Sequence, residues 1–288
     1  MLATLGLESV SPQAASIVLG ALLGLAFGLL AQRSRFCLRR GLVGSPGERD
    51  AALGTWAIGL AVAVAGTGAL IATGLVGFGK HRFYADALPL GAIVLGGLMF
   101  GVGMVLSRGC TSRLTVLAGS GNLRAWVALI VFAIFAHATL KGVLAPLRVF
   151  IGSFTVPLGG NVSLASLPGG AAVWAGILAV ALLAFAARSG ARASDLAMGT
   201  LIGVLVPLGW VGTGYVLADE FSPIALESLA FTSAASETLF WSIASTAIAP
   251  TFGLGLLLGT LAGALVAALL SREFAWTGFT ADTPVSRY

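Results

Sequence analysis

Cys37 and Cys110 are the two cysteines of this 288-residue chain, and each stands in the same short context: Ser34-Arg35-Phe36-Cys37 and Ser107-Arg108-Gly109-Cys110. Ser-Arg-x-Cys sets a soft, weakly donating thiol near a hydroxyl and a guanidinium, and the second copy continues into Thr111, Ser112 and Arg113. In both copies a long apolar stretch ends and the cysteine stands where a shorter one begins. A short helix starting there turns its free backbone N–H groups and positive dipole end toward the thiol, which favours an anion. Ser107, Thr111 and Ser112 add hydroxyl donors, and Arg108 or Arg113 adds charge. The set suits a small anion carrying an atom that accepts a hydrogen bond from a thiol. A neutral thiol serves this chemistry better than a thiolate, which would repel the ligand.

The ordinary readings of these residue types differ. A free cysteine in a membrane helix is most often a small hydrophobe. Arginines at span ends are usually interfacial anchors, the reading kept for Arg33, Arg39, Arg40 and Arg49. Recurrence in Ser-Arg-x-Cys separates Cys37, Cys110, Arg35 and Arg108 from that background. Two cysteines exclude a disulfide scaffold and a four-thiolate metal site, and His81 and His137 are too few and too far apart for a zinc pattern. No metal or cofactor is expected, and no enzymatic activity.

The elements that must position these residues are membrane helices. Hydrophobic residues make up 58% of the chain and charged ones 9%, against about 25% charged in soluble domains. Apolar length and breakers predict seven spans, near 14–31, 51–76, 87–106, 124–145, 170–187, 194–217 and 250–271. Segments 34–44, 109–121, 150–166 and 234–248 are too short to cross and too apolar for solvent loops, as in re-entrant half-helices. His137 and Lys141, four apart, share a face of the fourth span and read as a pair snorkelling to the interface.

Twelve of the 16 Lys and Arg residues fall in the connections after spans one, three, five and seven. The positive-inside rule then puts the amino terminus outside and the carboxy terminus in the cytoplasm. The net charge of +5 follows from those loops, so no nucleic acid is implied. The amino terminus lacks a basic n-region and a cleavage site, so the first helix is expected to remain in the mature protein.

The chain also echoes itself. Gly24, Phe27, Gly28, Ser34, Arg35 and Cys37 return 73 residues later as Gly97, Phe100, Gly101, Ser107, Arg108 and Cys110. Asp50, Ala52, Gly54 and Thr55, leading to Gly66-Thr67-Gly68, match Asp195, Ala197, Gly199 and Thr200, leading to Gly212-Thr213-Gly214. Gly20, Gly24 and Gly28 match Gly255, Gly259 and Gly263. Repeats around 14–121 and 170–271 describe duplicated pieces of one bundle, as in transporters built around a midplane site. The GxxxG spacings themselves signify close helix packing. The expectation is an all-α polytopic membrane protein, a pseudo-symmetric helical bundle forming a single integral membrane transport domain over 1–288, with a tail at 272–288.

The glycine-spaced helices ending in "SRFC" and "SRGCTS", with "GTWAIGLAVAVAGTG" and "PLGWVGTGY", resemble the YeeE/YedE family of sulfur-transport membrane proteins. The resemblance implies import of thiosulfate through an hourglass-shaped bundle of the inner membrane, with conserved cysteines handing the anion along at a central constriction. Carried over, Cys110 is the central cysteine and Cys37 its companion. The implied site is Cys110, Cys37, Gly109, Thr111, Ser107, Ser112, Arg108, Arg35 and Ser34. Its implied partners are thiosulfate or a similar sulfur anion, membrane lipid, and a cytoplasmic sulfurtransferase of the TusA or rhodanese type. The family usually carries a third cysteine in a Gly-Cys-Thr-like segment beyond the part matched by "SREFAWTGFTADTPVSRY"; either the chain is shortened or its pathway works with two thiols. Two further readings stay open, a membrane dithiol redox protein or sensor pairing Cys37 with Cys110, and a pore for another small solute such as a selenium compound.

Overall fold

The computed structural model describes residues 11–79, 81, 87–159, 166–219 and 223–279. The extreme amino terminus, residues 160–165 of the short segment 150–166, and the end of the tail lie outside the described residues. The elements are α1 (Pro12–Ser34), α2 (Leu38–Val43), α3 (Pro46–Ala72), β1 (Ala87–Leu88), α4 (Leu90–Leu106), α5 (Thr111–Gly119), α6 (Leu123–Lys141), α7 (Ala145–Gly152), β2 (Val156–Pro157), α8 (Gly170–Arg188), α9 (Ala193–Val211), α10 (Phe231–Ala244) and α11 (Phe252–Leu270). A π-helical turn, Gly212–Val216, extends α9.

Among the described residues, seven helical stretches are long and apolar enough to cross a membrane: Pro12–Val43, Pro46–Ala72, Leu90–Gly119, Leu123–Lys141, Gly170–Arg188, Ala193–Val216 and Phe252–Leu270. This is a multi-pass membrane protein. The 23 residues of α1 make a rod of about 34 Å at 1.5 Å per residue, enough for a hydrocarbon core of about 30 Å. By the same measure α5, with nine residues, reaches less than half that depth.

Local chemistry sets the boundaries. Ser11 caps α1 by accepting from the Ala14 amide at 3.2 Å, with Pro12 in the first turn. Pro46 opens α3, which therefore starts five residues before the apolar pattern, with Glu48 favourably placed in the first turn. The fourth span stops at Lys141 rather than 145, because Gly142 leaves helical geometry and Pro146 starts α7. Of the expected short segment near 150–166, residues 150–152 are the end of α7. One antiparallel pair, Ala87 opposite Pro157 and Leu88 opposite Val156, adds a minimal sheet to the otherwise helical fold.

Glycine sets the two tightest helix pairs. Gly20, Gly24 and Gly28 of α1 abut the carbonyls of Phe252, Leu256 and Thr260 of α11, while Gly255, Gly259 and Gly263 abut those of Ile17, Ala21 and Leu25. Both series ascend together, so the helices run parallel, and a Cβ at Gly24 would stand 2.9 Å from the Thr260 nitrogen. In α3 and α9, Gly199 lies against the Thr55 carbonyl, Gly203 against that of Gly59, and Gly66 against Pro207. Two of the three pairs of helices that echo one another in sequence, α1 with α11 and α3 with α9, are therefore also packed pairs, whereas α1 and α4, which carry the two cysteine segments, are not. Leu23, Phe27, Val116, Leu129, Ile202, Phe231 and Leu256 join α1, α5, α6, α9, α10 and α11 in the main core.

His137 departs from the snorkelling expectation. Its Nδ1 lies 3.0 Å from the Ser236 hydroxyl and its ring 4.4 Å from that of Phe240, so it faces α10.

Candidate functional site

The two cysteine segments share one local geometry. After α1, Arg35 takes a left-handed conformation (φ 50°), the Phe36 amide donates to the Ala31 carbonyl at 3.1 Å, and Cys37 becomes the N-cap of α2. After α4, Ser107 ends the helix, Arg108 is left-handed (φ 60°), and Cys110 is the N-cap of α5. The serine hydroxyls donate back into their own helices, Ser34 to Leu30 O and Ser107 to Gly103 O, each at 2.7 Å.

The same helix stop occurs twice more. Ser189 is followed by Gly190 (φ 68°) and, three residues after the serine, by the N-cap Arg192 of α9. Ser271 is followed by Arg272 (φ 56°), with Phe274 three residues on. Ser189 and Ser271 bond back to Ala186 O and Ala267 O at 2.7 and 2.6 Å. A serine followed by a left-handed residue, arginine in three copies and glycine in the fourth, is therefore a device for ending a helix, and the cysteine is what sets two of the four copies apart. The signal was present in the sequence as Ser-Gly-Ala-Arg and Ser-Arg-Glu-Phe, but without a thiol it did not stand out.

Cys110 lies on the wall of a cavity of about 680 Å³ between α4, α5 and α6. Ser107, Arg108, Gly109 and Thr111 share that wall with it, beside the apolar side chains of Phe100, Met104 and Phe132. The Cys110 sulfur lies 3.2 Å from the Ser112 hydroxyl, which ties Ser112 to the thiol. No side chain caps α5. The amides of Thr111, Ser112 and Arg113 thus have no acceptor within the helix, Leu114 being the first to bond back, to Cys110 O at 2.9 Å. By contrast, Asn122 caps α6 by accepting from the amides of Arg124 and Ala125, both at 3.1 Å.

Ser34, Arg35 and Cys37 stand apart from that wall. Cys37 is buried and its thiol, like that of Cys110, is free. Arg35 is largely exposed and pairs with Glu273 at 3.6 Å. Arg113 bridges the two segments: its stem lies over Gly109, where an added Cβ would meet it at 3.2 Å, and its Nη1 donates to Ala31 O at 3.4 Å.

The chain after α11, read from sequence only as a tail, builds part of this region. Glu273 accepts from Gln32 Nε2 at 3.2 Å, the Thr277 amide donates to Gly121 O at 3.2 Å, and the Leu123 amide donates to Thr277 O at 3.0 Å. Arg124 Nε donates to Gly278 O at 2.8 Å, and Phe279 reaches the cavity wall. No apolar period marks these residues, so the sequence held no signal for the contact.

Seven candidate spans among the described residues define a polytopic membrane protein, in which a thiol stands at the start of an uncapped short helix beside a cavity. Residues 33–287 match the family model described as Sulphur transport, so the chain belongs to that family, YeeE/YedE. It is 28% identical over 247 residues to the thiosulfate transporter TsuA of Spirochaeta thermophila, covering 85% of this chain and 64% of that protein. It is 32% identical over 122 residues to the thiosulfate transporter TsuA of Escherichia coli K12, covering 42% of this chain and 33% of that one. The matched region is thus less than two thirds the length of either curated relative.

Proposed function

We propose that this protein imports thiosulfate, or a closely related inorganic sulfur anion, across the inner membrane, with Cys110 as the principal thiol contact. One observation carries the reading: Cys110 sits on the cavity wall at the uncapped start of α5, where first-turn amides have no intrahelical partner. The thiol donates weakly to the terminal sulfur of the anion, while those amides and the hydroxyls of Ser107 and Thr111 replace part of its hydration. Weak successive contacts favour passage over trapping. Cys37, at the corresponding turn after α1, is the second thiol station, reached past Ser34 and Arg35. The repeats, the parallel glycine-packed pairs and the short α2, α5 and α10 support an hourglass-like, pseudo-symmetric bundle in which the short helices are re-entrant. The distribution of Arg and Lys supports an external amino terminus and a cytoplasmic carboxy terminus. A cytoplasmic sulfurtransferase of the TusA or rhodanese type would take up the imported sulfur.

The test uses a host lacking its own sulfur-anion importers, grown on thiosulfate as sole sulfur source, with radiolabelled thiosulfate uptake measured in parallel. Growth and uptake are expected with the wild-type chain and lost with Cys110→Ala at equal membrane abundance. Uptake unchanged by that substitution overturns the thiol role. A labelled selenium compound carried in preference to thiosulfate reassigns the substrate, and a Cys37–Cys110 disulfide formed in turnover favours a redox protein.

A further inference from the structure

Arg113 is a cation that the function described above leaves unused, and its surroundings differ from those of Arg35 and Arg40 beside it. It occupies the third position of α5, three residues after Cys110 and so on the same side of the helix as that thiol. Its guanidinium reaches across to Ala31 O, the carbonyl that also accepts from the Phe36 amide in the turn delivering Cys37. Arg113 does not itself line the cavity that holds Cys110, and the ionisable groups close enough to act on it are Cys37, Cys110, Arg35 and Arg40. Arg35 and Arg40 have carboxylate partners, Glu273 and Glu48, each at 3.6 Å. Arg113 has none among the described residues, and its hydrogen bond is a long one to a neutral carbonyl.

A guanidinium in an apolar span is costly unless an anion or several acceptors compensate it. It carries five N–H donors in a flat fork matched to two oxygens of an oxyanion. We infer that Arg113, which spans from Gly109 beside Cys110 to the turn that delivers Cys37, is the counter-charge of the permeating anion, gripping its oxygens while the Cys110 thiol meets its sulfur, and that it passes the anion from Cys110 toward Cys37. The inference rests on the import of a sulfur oxyanion proposed above and adds a determinant of selectivity to it. An anion with oxygens at one end and a bare sulfur at the other satisfies both groups. Sulfate satisfies only the arginine, and hydrosulfide only the thiol.

The experiment measures initial rates of labelled thiosulfate uptake against concentration for the wild type, Arg113→Lys and Arg113→Gln, with immunoblots fixing membrane abundance. Arg113→Gln is expected to raise KM by about 10- to 100-fold, the equivalent of one or two charged hydrogen bonds. Arg113→Lys, which keeps charge but loses the fork, should fall between the two. In parallel, thiosulfate and sulfate are tested for raising the melting temperature of the purified full chain in detergent. Both shifts should vanish in Arg113→Gln, whereas Cys110→Ala should lose only the thiosulfate preference. A wild-type KM in Arg113→Gln overturns the inference. So does an equal loss of Vmax in both arginine variants at constant KM, which would make Arg113 a packing strut between α5 and α1. If the wild type carries no thiosulfate, the transport reading fails by itself, and the anion-dependent melting shift still decides the role of Arg113.

Discussion

Cysteine is a poor helix cap, and under the proposed function that weakness at Cys110 serves the anion. Serine, threonine, aspartate and asparagine are favoured at N-caps because a side-chain oxygen satisfies an orphan amide. Asn122 does so for α6, and Cys110 does not for α5. Its sulfur turns to Ser112 instead, leaving the first-turn donors to a ligand. Stability and transport are therefore expected to move in opposite directions in Cys110→Ser. Its hydroxyl is short enough to cap α5, which typically contributes about 1 kcal/mol, so the melting temperature of the purified chain should rise by a few degrees. Uptake should nevertheless fall toward the level of Cys110→Ala, because the capping oxygen occupies the orphan amides and holds the hydroxyl against the helix, where its O–H no longer stands in place of the thiol. Retained uptake would mean that any small polar cap serves. At this scale the sequence was informative: the rarity of cysteine and its repeated context pointed to Cys110, Gly109, Thr111 and Ser107, which do share a wall. That Ser34 with Arg35, and Ser107 with Arg108, also end their helices by a serine back-bond and a left-handed arginine is visible only when the backbone is seen.

Among the elements, α1 and α11 form the closest pair, and their glycines face backbone rather than flexible side chains. An added methyl at Gly24 or Gly259 meets carbonyls that cannot rotate away, so the helices must separate, and packing across Leu23, Phe27 and Leu256 goes with them. Overpacking of this kind costs about 1–3 kcal/mol per site, and more for a branched side chain. Gly24→Leu is expected to lower the melting temperature in detergent markedly and to shift the protein toward aggregate on size exclusion. Gly47→Ala, exposed near the start of α3 with nothing within 4 Å, is expected to be neutral or slightly stabilising. Equal behaviour of the two variants would show that the glycines of α1 are compositional rather than structural. The spans were legible from apolar length because lipid demands it, and errors gathered where Pro46, Gly142 and Pro146 act, since a capping proline or a helix-ending glycine has no hydrophobic signature.

On the scale of the whole molecule, the chain after α11 ties α1, the α5–α6 turn and the cavity into one unit. Glu273 meets Gln32 and Arg35 at the end of α1, Thr277 exchanges hydrogen bonds with Gly121 and Leu123, and Gly278 receives Arg124. Gly121 is the joint: its φ of +96° suits glycine, and an added Cβ would stand 2.6 Å from Ala275 O. Gly121→Ala therefore combines backbone strain of about 1–3 kcal/mol with a clash that pushes the 275–279 segment away from the turn. Asn122, Arg124 and Phe279 all line the cavity that holds Cys110, so the displacement is felt at the site though no candidate ligand residue has changed. Membrane insertion should persist, because the seven apolar stretches are untouched. Melting temperature in detergent should fall, and thiosulfate uptake should fall with it by more than the loss of folded protein explains, as measured by uptake per folded molecule on fluorescence-detected size exclusion. Wild-type uptake per folded molecule would show instead that this segment braces the bundle without shaping the pathway, and would confine the functional wall to α4, α5 and α6.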